Sequence, residues 1–184
     1  MLQGRTAADA RARRVLNDAA KHGFTGFAWA ARRGVLAAMG GLYDAAATGG
    51  GDTLIAQAMW GHYPGGALPR GGEPYYYASR LFGAAGSEFG LPAAERHFRA
   101  WAERCFGAVG GSVGFVPGTA LHLWHGDRAD RQYGTRFAAL GRAGFDPSAD
   151  LAVDPGSGAW AWATEKTELH VALRQFFARR REVV

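Results

Sequence analysis

The chain has 184 residues, 48% of them hydrophobic, which suits one globular domain with a packed core. Its single cysteine, Cys105, excludes an internal disulfide and a multi-cysteine zinc site. The net charge of +5 comes from 19 Arg and 2 Lys against 16 acids, scattered except at the two ends, with no zinc-finger, homeodomain or aromatic-basic motif beside them. Such an arginine bias resembles codon bias more than selected charge. Sequence-specific nucleic-acid binding is therefore not expected, whereas attraction to phosphate-bearing ligands is. No apolar run approaches the ~18 residues of a membrane span. The basic N-terminus lacks the apolar segment of a secretory signal, so a cytoplasmic, reducing setting is expected.

In chain order, residues 6–21 read as a helix within a leading segment 1–22. Thr6 and Asp9 resemble a capping box, Ala12, Val15, Leu16 and Ala19 form the apolar stripe, and Gly23 ends it. "GFAWA" suits a short buried strand. "ARRGVLAAMG" suits one or two helical turns closed by Gly40 and Gly41. "TGGGDTLIAQAMWG" is a glycine-rich turn opening a helix, with Asp52 expected at the N-cap and Leu54, Ile55, Ala58 and Met59 inward. Residues 62–92, rich in Gly, Pro and Tyr, read as a long irregular connection.

"AAERHFRAWAERCFG" predicts an amphipathic helix with Phe98, Trp101, Ala102 and Cys105 on one side. "GSVGFVPGTALHLWH" predicts two short strands around Pro117-Gly118. A helix over 127–143 would hold Tyr133, Phe137 and Leu140, with Asp130 as its cap. "FDPSADLAVDPGSG" reads as a turn-rich loop. A terminal helix over 164–181 would turn Leu169, Leu173, Phe176 and Phe177 inward. No internal repeat is visible, and the chain reads as one domain of α/β class over 1–184.

Three clusters carry chemistry. His122 and His125 stand three apart, a spacing that can present two imidazoles to one metal where a strand end turns; one core and one loop histidine is the plainer alternative. The run "GGGD" can cradle an anion on backbone N–H groups. Its Asp52 either caps the helix or serves as a rigidly held general base. "HGDRADRQYGTR" offers Arg131 and Arg136, which can grip phosphate bidentately or stay solvated and ion-paired.

In this order the pieces resemble the C-terminal, acceptor- and metal-binding half of a GT-A-type (Rossmann-like) glycosyltransferase. The nearest pattern is that of the β-1,4-galactosyltransferase family, in which an aromatic stretch and a "GG(F/Y)x" run lead into "GWGGED" and then Met-x-x-His. Here "GFAWAARRGVLAAMGGLYDAAATGGGD" and "HLWHGDRADRQYGTR" stand in those places. The chain is similar also to bacterial and phage-type glycosyltransferases with "HLWHGD…NRQY…R", "FDP" and "WAW…K…LH", over roughly residues 23–181.

The resemblance implies helices around a small mixed sheet and a hexosyltransferase activity. Asp52 would be the catalytic base, and Trp29, Gly50, Gly51, Arg131 and Arg136 would bind substrate. His122 and His125 would bind Mn2+ or another divalent cation. The implied partners are a nucleotide-sugar donor and a carbohydrate or glycan acceptor. Two departures stand out. Gly51 occupies the place of the family's Glu, and no Asp-x-Asp occurs in the 184 residues. That motif belongs to the family's nucleotide-binding half, which is expected upstream of residue 1, so little transfer is expected from this chain alone. A non-catalytic relic or interaction module of the same fold is the second reading. A small metal-dependent hydrolase built on His122, His125 and Asp127 is the third.

Overall fold

The computed structural model describes residues 28–66, 82, 90–114, 117, 119, 127, 129–133 and 135–180. The leading helix over 6–21, most of the 62–92 connection, most of the strand pair around Pro117, and both His122 and His125 lie outside the described residues. The chain divides into two compact units, one of residues 1–79 and 98–122, the other of residues 80–97 and 123–184. Helix and strand are both present, so the fold is α/β in the broad sense. Among the described residues the sheet is one antiparallel pair. No described helix is long and apolar enough to cross a membrane.

The first unit holds α1 (Arg33–Met39), α2 (Gly51–Met59) and the greater part of α3 (Pro92–Val109). The end of α1 follows its glycines. Gly40 and Gly41 take φ of 76° and 86°, and Gly41 N–H donates to the Leu36 carbonyl, a six-to-one closure of the last turn. The chain then delivers Tyr43 into the core. Its ring lies edge-on to Phe98 at 5.2 Å and tilted against Trp101 at 5.4 Å. The Trp101 indole N–H donates to the Gly41 carbonyl at 3.1 Å, which ties α3 to the exit of α1. Leu54, Ile55, Ala58, Phe98, Trp101, Ala102 and Cys105 are buried, as their spacing predicts. Burial pushes the Cys105 thiol up to about 12, so it is an inert core group. The expected strand at "GFAWA" is not formed at Ala28, Trp29 and Ala30, which lead into α1 without a ladder.

The second unit holds α4 (Ala138–Arg142), α5 (Pro147–Asp150), the hairpin β1 (Leu151–Val153) and β2 (Trp160–Trp162), and α6 (Thr167–Arg179). The predicted helix over 127–143 shrinks to α4. Ahead of it, residues 129–133 and 135–137 form turns, and Gln132 sits in the left-handed region at φ 50°, which no helix interior accepts. Asp130 therefore caps no helix, and Tyr133 is 44% exposed.

The expected loop at "FDPSADLAVDPGSG" contains α5 and β1. Asp146 caps α5 by accepting from Ser148 N–H, with Pro147 at the first helical position. Asp154 then accepts from the Ser157 N–H and hydroxyl and folds the turn, so that Leu151 pairs with Trp162 and Val153 with Trp160. Leu140 and Phe145 are buried with Leu169, Leu173 and Phe176 of α6, whereas Phe177 is 52% exposed on its outer side.

One buried carboxylate ties these elements together. Asp150 is fully buried. It accepts from the Asp146 N–H at 2.8 Å, the Thr164 hydroxyl at 2.8 Å and the Lys166 ammonium at 2.9 Å. Lys166 also donates to the Gly144 carbonyl at 2.9 Å. Burial on its own would raise the Asp150 carboxyl, but these three donors outweigh it and hold it below the usual carboxylate range.

Candidate functional site

In the first unit the glycine-rich turn sets the start of α2. Thr48 is buried, and Gly49 and Gly50 take φ of 95° and 91°. Gly50 is the N-cap, not Asp52. A left-handed cap costs a side-chain-bearing residue ~1–2 kcal/mol, so the helix begins behind a glycine and two residues earlier than the sequence suggests. Asp52 is consequently the second residue of the helix, half-buried in its first turn. A carboxylate there lies near the unsatisfied N–H groups and the positive end of the helix dipole. The cap alternative for Asp52 is thus removed, and its placement in a rigid turn is kept.

At Gly51, where the resemblance expects a glutamate, the backbone is closely packed. A Cβ at this position would lie 3.2 Å from the Tyr43 carbonyl oxygen, a backbone atom that cannot swing aside. A glutamate there would press on the segment that places Tyr43. Gly50→Ala is expected to lower stability by ~1–2 kcal/mol through its positive φ; a chemical-denaturation midpoint equal to wild type would show that the turn relaxes. Trp29 is half-buried just before α1.

In the second unit Arg131 and Arg136 meet at Tyr133. The Arg131 guanidinium donates to the Tyr133 hydroxyl at 2.8 Å. The Arg136 guanidinium lies over the Tyr133 ring at 4.9 Å and over the Phe137 ring at 4.8 Å. The turn at Gln132 creates this arrangement, because it brings positions 131, 133 and 136 around one ring instead of spreading them along a helix. Stacking engages the face of the Arg136 guanidinium and not the N–H groups in its plane, which are the groups a guanidinium uses to bind phosphate oxygens. Tyr133 is the group that sequence reasoning missed. It was expected only as one residue of a helix over 127–143, and the left-handed residue before it redirects the ring.

Asp127 is exposed, and its carbonyl accepts from the Asp130 N–H. Among the described residues no three His, Cys, Asp or Glu groups gather to hold a metal ion. The cation expectation rests on His122 and His125 alone, outside the described residues. Comparison with protein-family models, with curated proteins and with solved structures gives no match.

Proposed function

We propose that the chain is a glycosyltransferase-like domain that takes part in moving a sugar from a nucleotide-sugar donor to an acceptor hydroxyl. In the same proposal, the two units are the C-terminal part of a GT-A fold. The gathering of Arg131 and Arg136 on Tyr133 carries the reading. In this reading two guanidiniums gathered at one tyrosine, Arg131 on its hydroxyl and Arg136 on its ring, are the groups that would hold the oxygens of a diphosphate leaving group. Asp52 supports it as a carboxylate fixed in the first turn of α2, able to take the proton from an acceptor hydroxyl. His122 and His125 are the proposed holders of a divalent cation, and no step of this reading is routed through it.

The absence of Asp-x-Asp from the 184 residues favours a second reading, a non-catalytic module of the same fold that binds glycan or nucleotide without turnover. A transfer assay separates the two. The chain is incubated with Mn2+, a panel of nucleotide sugars and glycoside acceptors, with and without a protein segment that supplies an Asp-x-Asp strand end. Mass-shifted acceptor in the complemented reaction supports the enzyme. Ligand binding without any product under either condition supports the module.

A further inference from the structure

The β1–β2 hairpin presents a surface that neither the core nor the proposed catalytic groups use. Residues directly opposite in an antiparallel pair project from the same face, so Leu151, Val153, Trp160 and Trp162 share one side and Ala152 and Ala161 the other. On the shared side Trp160 is 44% exposed, Trp162 38% and Val153 56%. Two indoles left this open in a three-residue strand are unusual, since tryptophan is highly buried on average. One of them is also braced. Trp162 stacks on the imidazole of His170 in α6, centroids 4.4 Å apart and planes at 25°. The hairpin turn beyond Val153 is held by the bonds from Ser157 to Asp154.

The size of this face selects its occupant. Two partly open indoles and one valine offer a few hundred Å² of apolar surface, well short of the ~800 Å² per partner that a stable protein interface buries. A small ligand with a flat apolar face fits instead. The C–H-bearing face of a pyranose ring is such a face; its polarised hydrogens meet the negative face of an indole, while its hydroxyls stay in water. Planar tryptophan side chains lose little entropy on contact, and Trp162 is already held by its stack on His170. We propose that Trp160 and Trp162, the latter braced by His170, form a stacking platform for a pyranose ring of a saccharide ligand. The ligand class rests on the glycosyltransferase-like reading above.

The test is titration of the indole-15N-labelled chain with methyl β-D-glucopyranoside, methyl β-D-galactopyranoside and N,N′-diacetylchitobiose. Six indole N–H signals are followed by NMR, and those of Trp160 and Trp162 are assigned by their loss in Trp160→Phe and Trp162→Phe. Movement of these two signals with a glycoside is expected. Trp160→Ala should weaken that binding ~10-fold, Trp160→Phe should restore most of it, and Val171→Ala on α6 should leave it unchanged. Wild-type Trp160 and Trp162 signals that stay still with all three glycosides overturn the platform. Signals that move with protein concentration instead of glycoside assign the face to a second copy, and likewise overturn it. The transfer assay reports separately: product with silent indoles removes the platform alone, and responding indoles without product leave the platform and remove the enzyme.

Discussion

If Asp52 is the proposed base, Asp52→Asn is expected to lower glycosyl transfer by ~10²–10⁴-fold in the reaction complemented with an Asp-x-Asp segment, the usual contribution of a positioned general base. The substitution is nearly isosteric, and the cap of the helix is Gly50 rather than Asp52. Loss of the negative charge near the helix N-terminus should cost only ~0.3–1 kcal/mol of stability. A transfer rate close to wild type, in a variant that melts with wild type, would reduce Asp52 to a partner of the helix dipole. Acceptor KM should change little while kcat falls, which distinguishes lost proton transfer from lost binding.

Asp150→Ala is expected to cost ~2–4 kcal/mol of stability. Removing one member of a buried ion pair usually costs ~3–5 kcal/mol, and the lower range applies because Lys166 is partly exposed and can turn to water. Two connections lose a common anchor at once, since Asp150 joins Asp146, Thr164 and Lys166, and Lys166 holds the Gly144 carbonyl. The same carboxylate gives a pH dependence of defined sign. Its folded pKa lies below its unfolded value. Its stabilising contribution is therefore complete above the unfolded carboxylate pKa of ~3.9 and is lost as pH falls through the lower, folded value. Denaturant midpoints of wild type should fall more steeply below about pH 4 than those of Asp150→Ala. Parallel pH profiles for the two proteins would show that Asp150 is not the titrating group.

The helices with long apolar stripes were legible in the sequence. Phe98, Trp101, Ala102 and Cys105 fall on the buried side of α3, and Leu169, Leu173 and Phe176 on that of α6, because a period near 3.6 survives over several turns. Gly40 and Gly41 marked the end of α1 correctly. The failures have local causes. Gln132 adopts a positive φ that its residue type does not announce, and this turned a predicted helix into turns with a short helix behind them. Gly50 in place of Asp52 as cap shifted a helix start by two residues. The hairpin was hidden because its strands are three residues long, even though "LAV" and "WAW" alternate around "DPGSG". Phe177 continued the apolar stripe of α6 in sequence, yet Phe176 takes the inward position and leaves it outside. Of the candidate site, residue types that carry charge were readable and their geometry was not. Arg131 and Arg136 stood out, but Tyr133, the ring that joins them, was expected only as one residue of a helix.

The most direct test of the central claim is calorimetric titration of the chain with nucleoside diphosphates (UDP, GDP, CDP and ADP), set against the matching nucleosides and repeated with Arg131→Ala and Arg136→Ala combined. A grip for a diphosphate predicts that at least one diphosphate binds and its nucleoside does not. Affinity in the double variant should fall ~10- to 100-fold, as expected for lost hydrogen bonds from charged groups, with the melting temperature little changed. Equal binding of nucleoside and diphosphate, or an affinity untouched by removing both guanidiniums, would contradict the account.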